Sequence, residues 1–226
     1  MHNGELPLSA RQLKNLQVIY ELMHQQRFMY NNRIHRIEDR IVSISQSHVR
    51  PIVHGKAGAA VKFGAKVAIS LVNGYALIDE LSWDSFNEGT RLQAAVESYK
   101  QRFGYYPEAV IADHLCRNRN NYRFWKELGI RLSGPRLGRP SQEELQEHRN
   151  LERQDAKERN AVEGKFGEGK RKYGLDRIMA RLPETSESVI ALQFLVMNLG
   201  RRLRVLFCQF FKVQYLQNFG MSLSTS

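Results

Sequence analysis

The chain has 226 residues, 42% hydrophobic and 25% charged, a composition that excludes the disordered and fibrous classes. Its 34 Lys and Arg outnumber 23 Asp and Glu, so the formal net charge is +11 and a polyanionic partner is favoured over an acidic scaffold. Cys116 and Cys208 alone build neither a zinc site nor a disulfide framework, which points to a reducing compartment.

Ser9 with Gln12 forms an S-x-x-Q capping box and predicts a helix carried by Leu13, Leu16, Ile19, Tyr20 and Met23. A second helical stretch through Ile34, Ile37 and Ile41 leads to Pro51, so residues 1–50 read as a helical segment packed on the domain. Beyond Pro51, residues 61–72 and 75–82 are rich in β-branched and aromatic side chains. Asn73-Gly74 between them is a strong hairpin signal, because both positions accept φ > 0. Residues 92–103 form an amphipathic pattern closed by Gly104 and Pro107. Residues 109–113 (AVIAD) are apolar without alternation, which predicts a strand buried on both faces and ending at Asp113. A helix over 118–128 stops at Gly129, and 130–132 is another short strand. This order predicts an α/β arrangement around a mixed sheet. Residues 134–139 read as a loop, and Ser141 with Glu144 makes a second capping box. Polar sequence then runs to Arg159 as a mobile stretch, and 155–172 is helical despite Gly164, Gly167 and Gly169. The last helix begins near Ser186 with an apolar stripe through Leu192, Leu195, Leu199 and Leu206, and the tail frays from Gln217. The most apolar run, residues 189–199, is interrupted by Gln193 and Asn198 and falls short of the roughly 20 residues that cross a bilayer. The N-terminal segment lacks a signal-peptide core, so the chain reads as soluble and cytoplasmic.

Two acids stand out. Asp113 ends the most apolar strand, and carboxyl ends of strands are where α/β sheets collect ligands; its hard oxygens suit a divalent cation. A helix cap or an ordinary loop acid fits Asp113 as well on these grounds alone. On a helix, Glu163 shares a face with Arg159 and Lys170, cations that would keep it ionised and attract phosphate. A solvated helix face explains the same three residues. Between Arg117 and Arg139, Arg117, Arg119, Arg123, Lys126, Arg131, Arg136 and Arg139 face the single acid Glu127, with Tyr122, Phe124 and Trp125 interleaved. That patch suits nucleic-acid backbone tracking, with Phe124 and Trp125 equally at home in a core. Gly164, Gly169 and Lys170 imitate the start of a P-loop, yet position 171 is Arg and no strand precedes them, which argues against a nucleotide-binding P-loop. Neither a metal-spaced histidine pair nor a G-x-S-x-G elbow is present.

These pieces resemble the insertion-sequence transposases of the DDE, RNase H-like class. The matching stretches are HGKAGAAVKFGAKVAIS, ELSWDSFNEGTRL, YYPEAVIADHLCRNRNNYRFWKELGIRLSGPRLGRP and RNAVEGKFGEGKRKYGLDRI, which together span roughly residues 10–205. AVIAD resembles the strand bearing the family's second catalytic aspartate. Arg159, Glu163 and Lys170 reproduce the R-x3-E-x6-K motif around the catalytic glutamate, with Ala156 where the motif usually has tyrosine.

The resemblance implies an RNase H-like mixed sheet flanked by helices, over residues 51–207, between a helical segment 1–50 and a tail 208–226. It implies two-metal transposition chemistry with Asp113 and Glu163 as catalytic and metal-binding acids and Mg²⁺ or Mn²⁺ as the ion. Arg117, Arg119, Arg123, Arg159, Lys170 and Arg171 become the expected contacts to double-stranded DNA, in a homo-oligomeric, nucleoid-associated complex with no membrane. The family's first aspartate, on a strand upstream of the hairpin, has no counterpart here. Asp39 lies in a helix-like context, and Asp79 and Asp84 come too late. The expectation is therefore a chain that is the C-terminal part of a transposase, lacking the first strand and impaired in catalysis. A non-catalytic DNA-binding remnant is the alternative, and a protein that binds single-stranded RNA is a weaker third.

Overall fold

A computed structural model describes residues 7–53, 61–112, 119–133 and 142–218. Five helices and six strands make up its regular elements, and the strands form three two-stranded sheets. The chain divides into two compact units.

The first unit comprises Met1–Val67, Leu81–Phe86 and Met179–Glu187. Its helix α1 (Ala10–Asn31) starts at the expected capping box, where the Gln12 amide and side chain both engage Ser9. It stops where the sequence pattern would have continued into a second helix. Arg33 takes φ 52°, and the amides of Ile34 and Arg33 bond back to the carbonyls of Met29 and Tyr30. That is a Schellman closure with Arg in the left-handed position glycine usually fills. The second helical stretch through Ile34, Ile37 and Ile41 is therefore not formed: residues 32–50 are turns and extended chain. Buried Gln25 fastens this segment, donating to the Asp39 carbonyl at 3.2 Å and accepting from the Ile41 amide at 2.9 Å. Asp39 itself has φ 52°, a turn rather than a helix.

Strand β1 (Pro51–Val53) pairs antiparallel with β2 (Val61–Phe63). The expected strand over 61–72 is thus two strands. Gly64 at φ 133° breaks it, and β3 (Lys66–Val72) pairs instead with β4 (Tyr75–Ser82) across Asn73-Gly74. Elsewhere in the unit His48 meets the Trp83 ring edge-on at 4.3 Å, and the Trp83 indole donates to Glu187 at 2.8 Å.

The second unit comprises Ala68–Glu80, Asn87–Ile178 and Ser188–Ser226. Helix α2 (Glu88–Phe103) is closed by Gly104 at φ 83°, as its sequence predicts, and begins four residues earlier than the expected 92–103, where the Asn87 side chain caps it. Arg102 ties α2 to β4, reaching Asp79 at 3.2 Å and the Ile78 carbonyl at 3.0 Å. Strands β5 (Ala109–Val110) and β6 (Arg131–Leu132) run parallel, connected through α3 (Arg119–Glu127). Val96, Trp125 and Ile130 are buried together, with Leu92, Tyr106, Val110 and Phe124 against them. Trp125 and Phe124 are core residues, then, not an exposed stacking platform.

Helix α4 (Gln142–Tyr173) is longer than expected, since the polar sequence before Arg159 is helical too. Helix α5 (Pro183–Asn218) runs without a break through the boundary anticipated at 207–208. Its inward face is Ile190, Phe194 and Met197, whereas Leu192, Leu195, Leu199 and Leu206 are exposed. The two polar interruptions explain this rotation. Asn198 accepts from the Ala76 amide at 2.9 Å and donates to its carbonyl at 2.7 Å, and Gln193 donates to the Gly174 carbonyl at 3.1 Å. Both turn toward the body of the unit and bond its backbone, Asn198 at β4 and Gln193 at the turn after α4, where the Gly174 carbonyl also accepts from the Arg177 amide at 3.0 Å. One mixed sheet was expected; the described residues hold three separate two-stranded ladders, because β2 is committed to β1 and β5 extends only to Val110. The loop over 134–139 and the second capping box at Ser141 lie outside the described residues; of the tail expected to fray from Gln217, residues 217 and 218 still belong to α5 and the rest lies outside them too. No helix among them is long and apolar enough to cross a membrane.

Candidate functional site

The parallel pair β5–β6 carries the backbone toward the first candidate acid. The Arg131 amide bonds the Glu108 carbonyl, and the Ser133 amide bonds the Val110 carbonyl, each at 2.9 Å. Past the ladder the Ser133 hydroxyl takes over, accepting from the Ala112 amide at 3.2 Å and donating to the Ala112 carbonyl at 3.3 Å. Ser133 is 2% exposed, so this clamp is shielded from water. It holds the residue directly before Asp113. Asp113, His114, Cys116 and Arg117 lie outside the described residues, as does the side chain of Arg119, which opens α3. Arg123 is exposed on α3.

The second acid rests on α4. At 100° per residue, Arg159, Glu163 and Lys170 fall within about 40° of one another, a stripe about 16 Å long at 1.5 Å per residue. All three are exposed, and Glu163 has no hydrogen bond or ion pair to a described residue. Arg171 is exposed too, but its direction differs by about 80–120° and it lies off the stripe. The structure thus brings together Arg159, Glu163 and Lys170 and leaves Arg171 apart.

What positions the stripe was not apparent in the sequence. Asp155, buried two turns before Glu163, receives both guanidinium nitrogens of Arg131 at 2.8 and 2.9 Å. This bidentate pair bolts α4 to β6, the strand beside the Asp113-bearing segment, and raises the Arg131 pKa further, chiefly through its hydrogen bonds to Asp155. Arg131 therefore belongs to the scaffold and not to the free cations. Lower on α4, Lys165 bonds Glu168 at 2.9 Å and Arg204 of α5 bonds the same carboxylate at 3.1 Å. The Lys165 hydrogen bond, with help from Arg204, holds the Glu168 carboxyl below its ordinary range. Gly169, one of the P-loop-like glycines, is buried: a Cβ there would stand 3.0 Å from Leu175 Cδ2 and 3.2 Å from Met197 Sδ. Its smallness lets α4 and α5 approach, a packing role unrelated to phosphate.

Asp79, dismissed as an acid in the wrong order, is engaged by the Ser70 hydroxyl and by Arg102. Burial outweighs both partners and pushes its pKa up. It braces the hairpin against α2. Among the described residues no group of three or more His, Cys, Asp or Glu side chains is placed to hold a metal ion.

Residues 110–200 match the family model described as a transposase DDE domain. The match supports a DDE-type transposase. It runs from β5 into α5 and takes in both Asp113 and Glu163. No curated protein and no solved structure matches the chain. A transposase DDE domain points to transposition, with DNA as the molecule bound.

Proposed function

We propose that this chain acts on DNA phosphodiesters in transposition, with Asp113 and Glu163 as catalytic acids. The observation that carries the reading is the exposed Arg159–Glu163–Lys170 face inside a stretch similar to a transposase DDE domain. Glu163 offers a hard carboxylate that no described residue neutralises, which fits a divalent cation. With Asp113 it would hold Mg²⁺ or Mn²⁺; bound there, such an ion activates the attacking oxygen and offsets charge on the phosphoryl group. Arg159 and Lys170, on either side of Glu163, would grip backbone phosphates and set the scissile strand along the helix. Arg123 extends the cationic surface on α3, and Arg117, Arg119 and Arg171 are further candidate DNA contacts by sequence.

In-line displacement on two ions wants a carboxylate that bridges both, and the sequence has no apolar strand ending in aspartate ahead of the hairpin. The chain alone is accordingly expected to bind DNA well and cleave it poorly, and this same observation favours the DNA-binding remnant as the second reading. One experiment addresses both. Duplex binding followed by fluorescence anisotropy should weaken steeply with salt, and Arg159→Ala and Lys170→Ala should each reduce the slope by about one. Binding indifferent to salt and to both substitutions refutes the shared surface. Mg²⁺- or Mn²⁺-dependent strand cleavage that disappears in Asp113→Asn and Glu163→Gln supports the enzyme. Unchanged binding in those variants with no cleavage in the parent supports the remnant.

A further inference from the structure

The outward face of α5 is a heptad seam. Leu192, Val196, Leu199, Leu203, Leu206 and Phe210 follow one another at intervals of four, three, four, three and four residues, and each is between 43% and 60% exposed. Labelled as a heptad, Val196, Leu203 and Phe210 take position a, and Leu192, Leu199 and Leu206 take position d. The helix meets its own unit on the other side. Buried Ile190 and Met197 are b positions and buried Phe194 is an f position, centred about 180° from the a/d line. A seam of that length and period, turned directly away from the fold it grows from, has no use for the interior.

We infer that α5 pairs with α5 of a second copy as a parallel two-stranded coiled coil. Area supports a stable association. Each half-exposed seam residue withdraws on the order of 100 Å² when covered, and with flanking Leu195 and Phe207 the total is on the order of 800 Å² per protomer. That is what one partner contributes to a standard stable interface. Leu at every d position with Val196 at a suits two parallel strands, and Leu203 and Phe210 fill the other two a positions. Charge agrees with this orientation. The only charged residue at an e or g position between Ser188 and Gln214 is Arg202, at g. In a parallel pair it faces e-position Phe207 of the other helix, an exposed ring whose face attracts a guanidinium, so no like charges are apposed. The inference is independent of the DNA-processing reading, since none of these residues lies on the Arg159–Glu163–Lys170 stripe.

The test is the mass of the full chain in solution by sedimentation equilibrium, without DNA. A dimer is expected at about 50 μM, and Leu199→Glu with Leu206→Glu should weaken it at least 100-fold. Val205→Glu, at an exposed c position off the seam, should leave it dimeric with the same far-ultraviolet helix signal. In a background with Cys116→Ser and Cys208→Ser, Leu199→Cys should oxidise rapidly to a cross-linked dimer, because d positions of parallel helices face each other, whereas Val205→Cys should not. A monomeric parent, a dimer indifferent to the two glutamates, or cross-linking no faster at position 199 than at 205 overturns the proposal.

Discussion

Replacing Arg131 with Met should cost this protein far more than the loss of one ion pair on a solvated surface. The Asp155 side chain is 8% exposed, both its oxygens are taken by Arg131, and no other described residue donates to it. Arg131→Met keeps the apolar stem and deletes the fork, leaving a carboxylate that water scarcely reaches. Breaking a buried pair in this way typically costs about 3–5 kcal/mol. The Arg131 side chain is itself 37% exposed, which places the expected loss near the low end, about 3 kcal/mol. Removing both charges, as Arg131→Met with Asp155→Leu, should recover stability to within about 1 kcal/mol of the parent, because two apolar groups of similar volume leave nothing unsatisfied. Urea unfolding read by tryptophan fluorescence measures both of these variants and Asp155→Leu alone, since Trp125 reports on the core beside β6. The double-mutant cycle should return a coupling of about 2 kcal/mol. If Arg131→Met costs less than about 1 kcal/mol, the pair behaves as a solvent-screened bridge and does not fasten α4.

Three further outcomes follow from individual contacts. Gly169→Val should destabilise by about 1–3 kcal/mol in the same urea assay, because its side chain must displace Leu175 and Met197 where the two long helices touch; an unchanged midpoint would mean the helices part without cost. Arg33→Gly should stabilise by about 0.5–1 kcal/mol, read as a higher melting temperature, since glycine relieves the left-handed strain at φ 52° while adding some freedom to the unfolded chain. Glu168 has a pKa held below its ordinary 4.5, so its contribution is present above that value and is lost as pH falls through the folded-state value. Thermal melts of the parent and Glu168→Gln should therefore differ at neutral pH and converge on acidification, and a gap that widens in acid would contradict the assigned sign.

Much of the fold was legible because its signals are local. The Ser9–Gln12 box, the Asn73-Gly74 turn and the glycines ending α2 and α3 act over three or four residues, and each occurs where the sequence places it. The R-x3-E-x6-K spacing likewise put Arg159, Glu163 and Lys170 on one face by helical geometry alone. What local pattern could not decide is which apolar face turns inward, since burial depends on residues far away in the chain. Leu192, Leu195, Leu199 and Leu206 look like a core stripe until Asn198 finds Ala76, 122 positions distant, and rotates them outward. The same holds for Asp155 and Arg131, two unremarkable charges in a basic chain until packing excludes water from one of them. Arg33 ends a helix that hydrophobic periodicity would have continued, because the closure depends on backbone carbonyls that a residue alphabet does not display. Sequence alone determined the caps and turns that bound α1, the hairpin, α2 and α3, and it supplied the candidate acids. Tertiary structure decided orientation, because desolvation is a property of the assembled surroundings and not of any residue by itself.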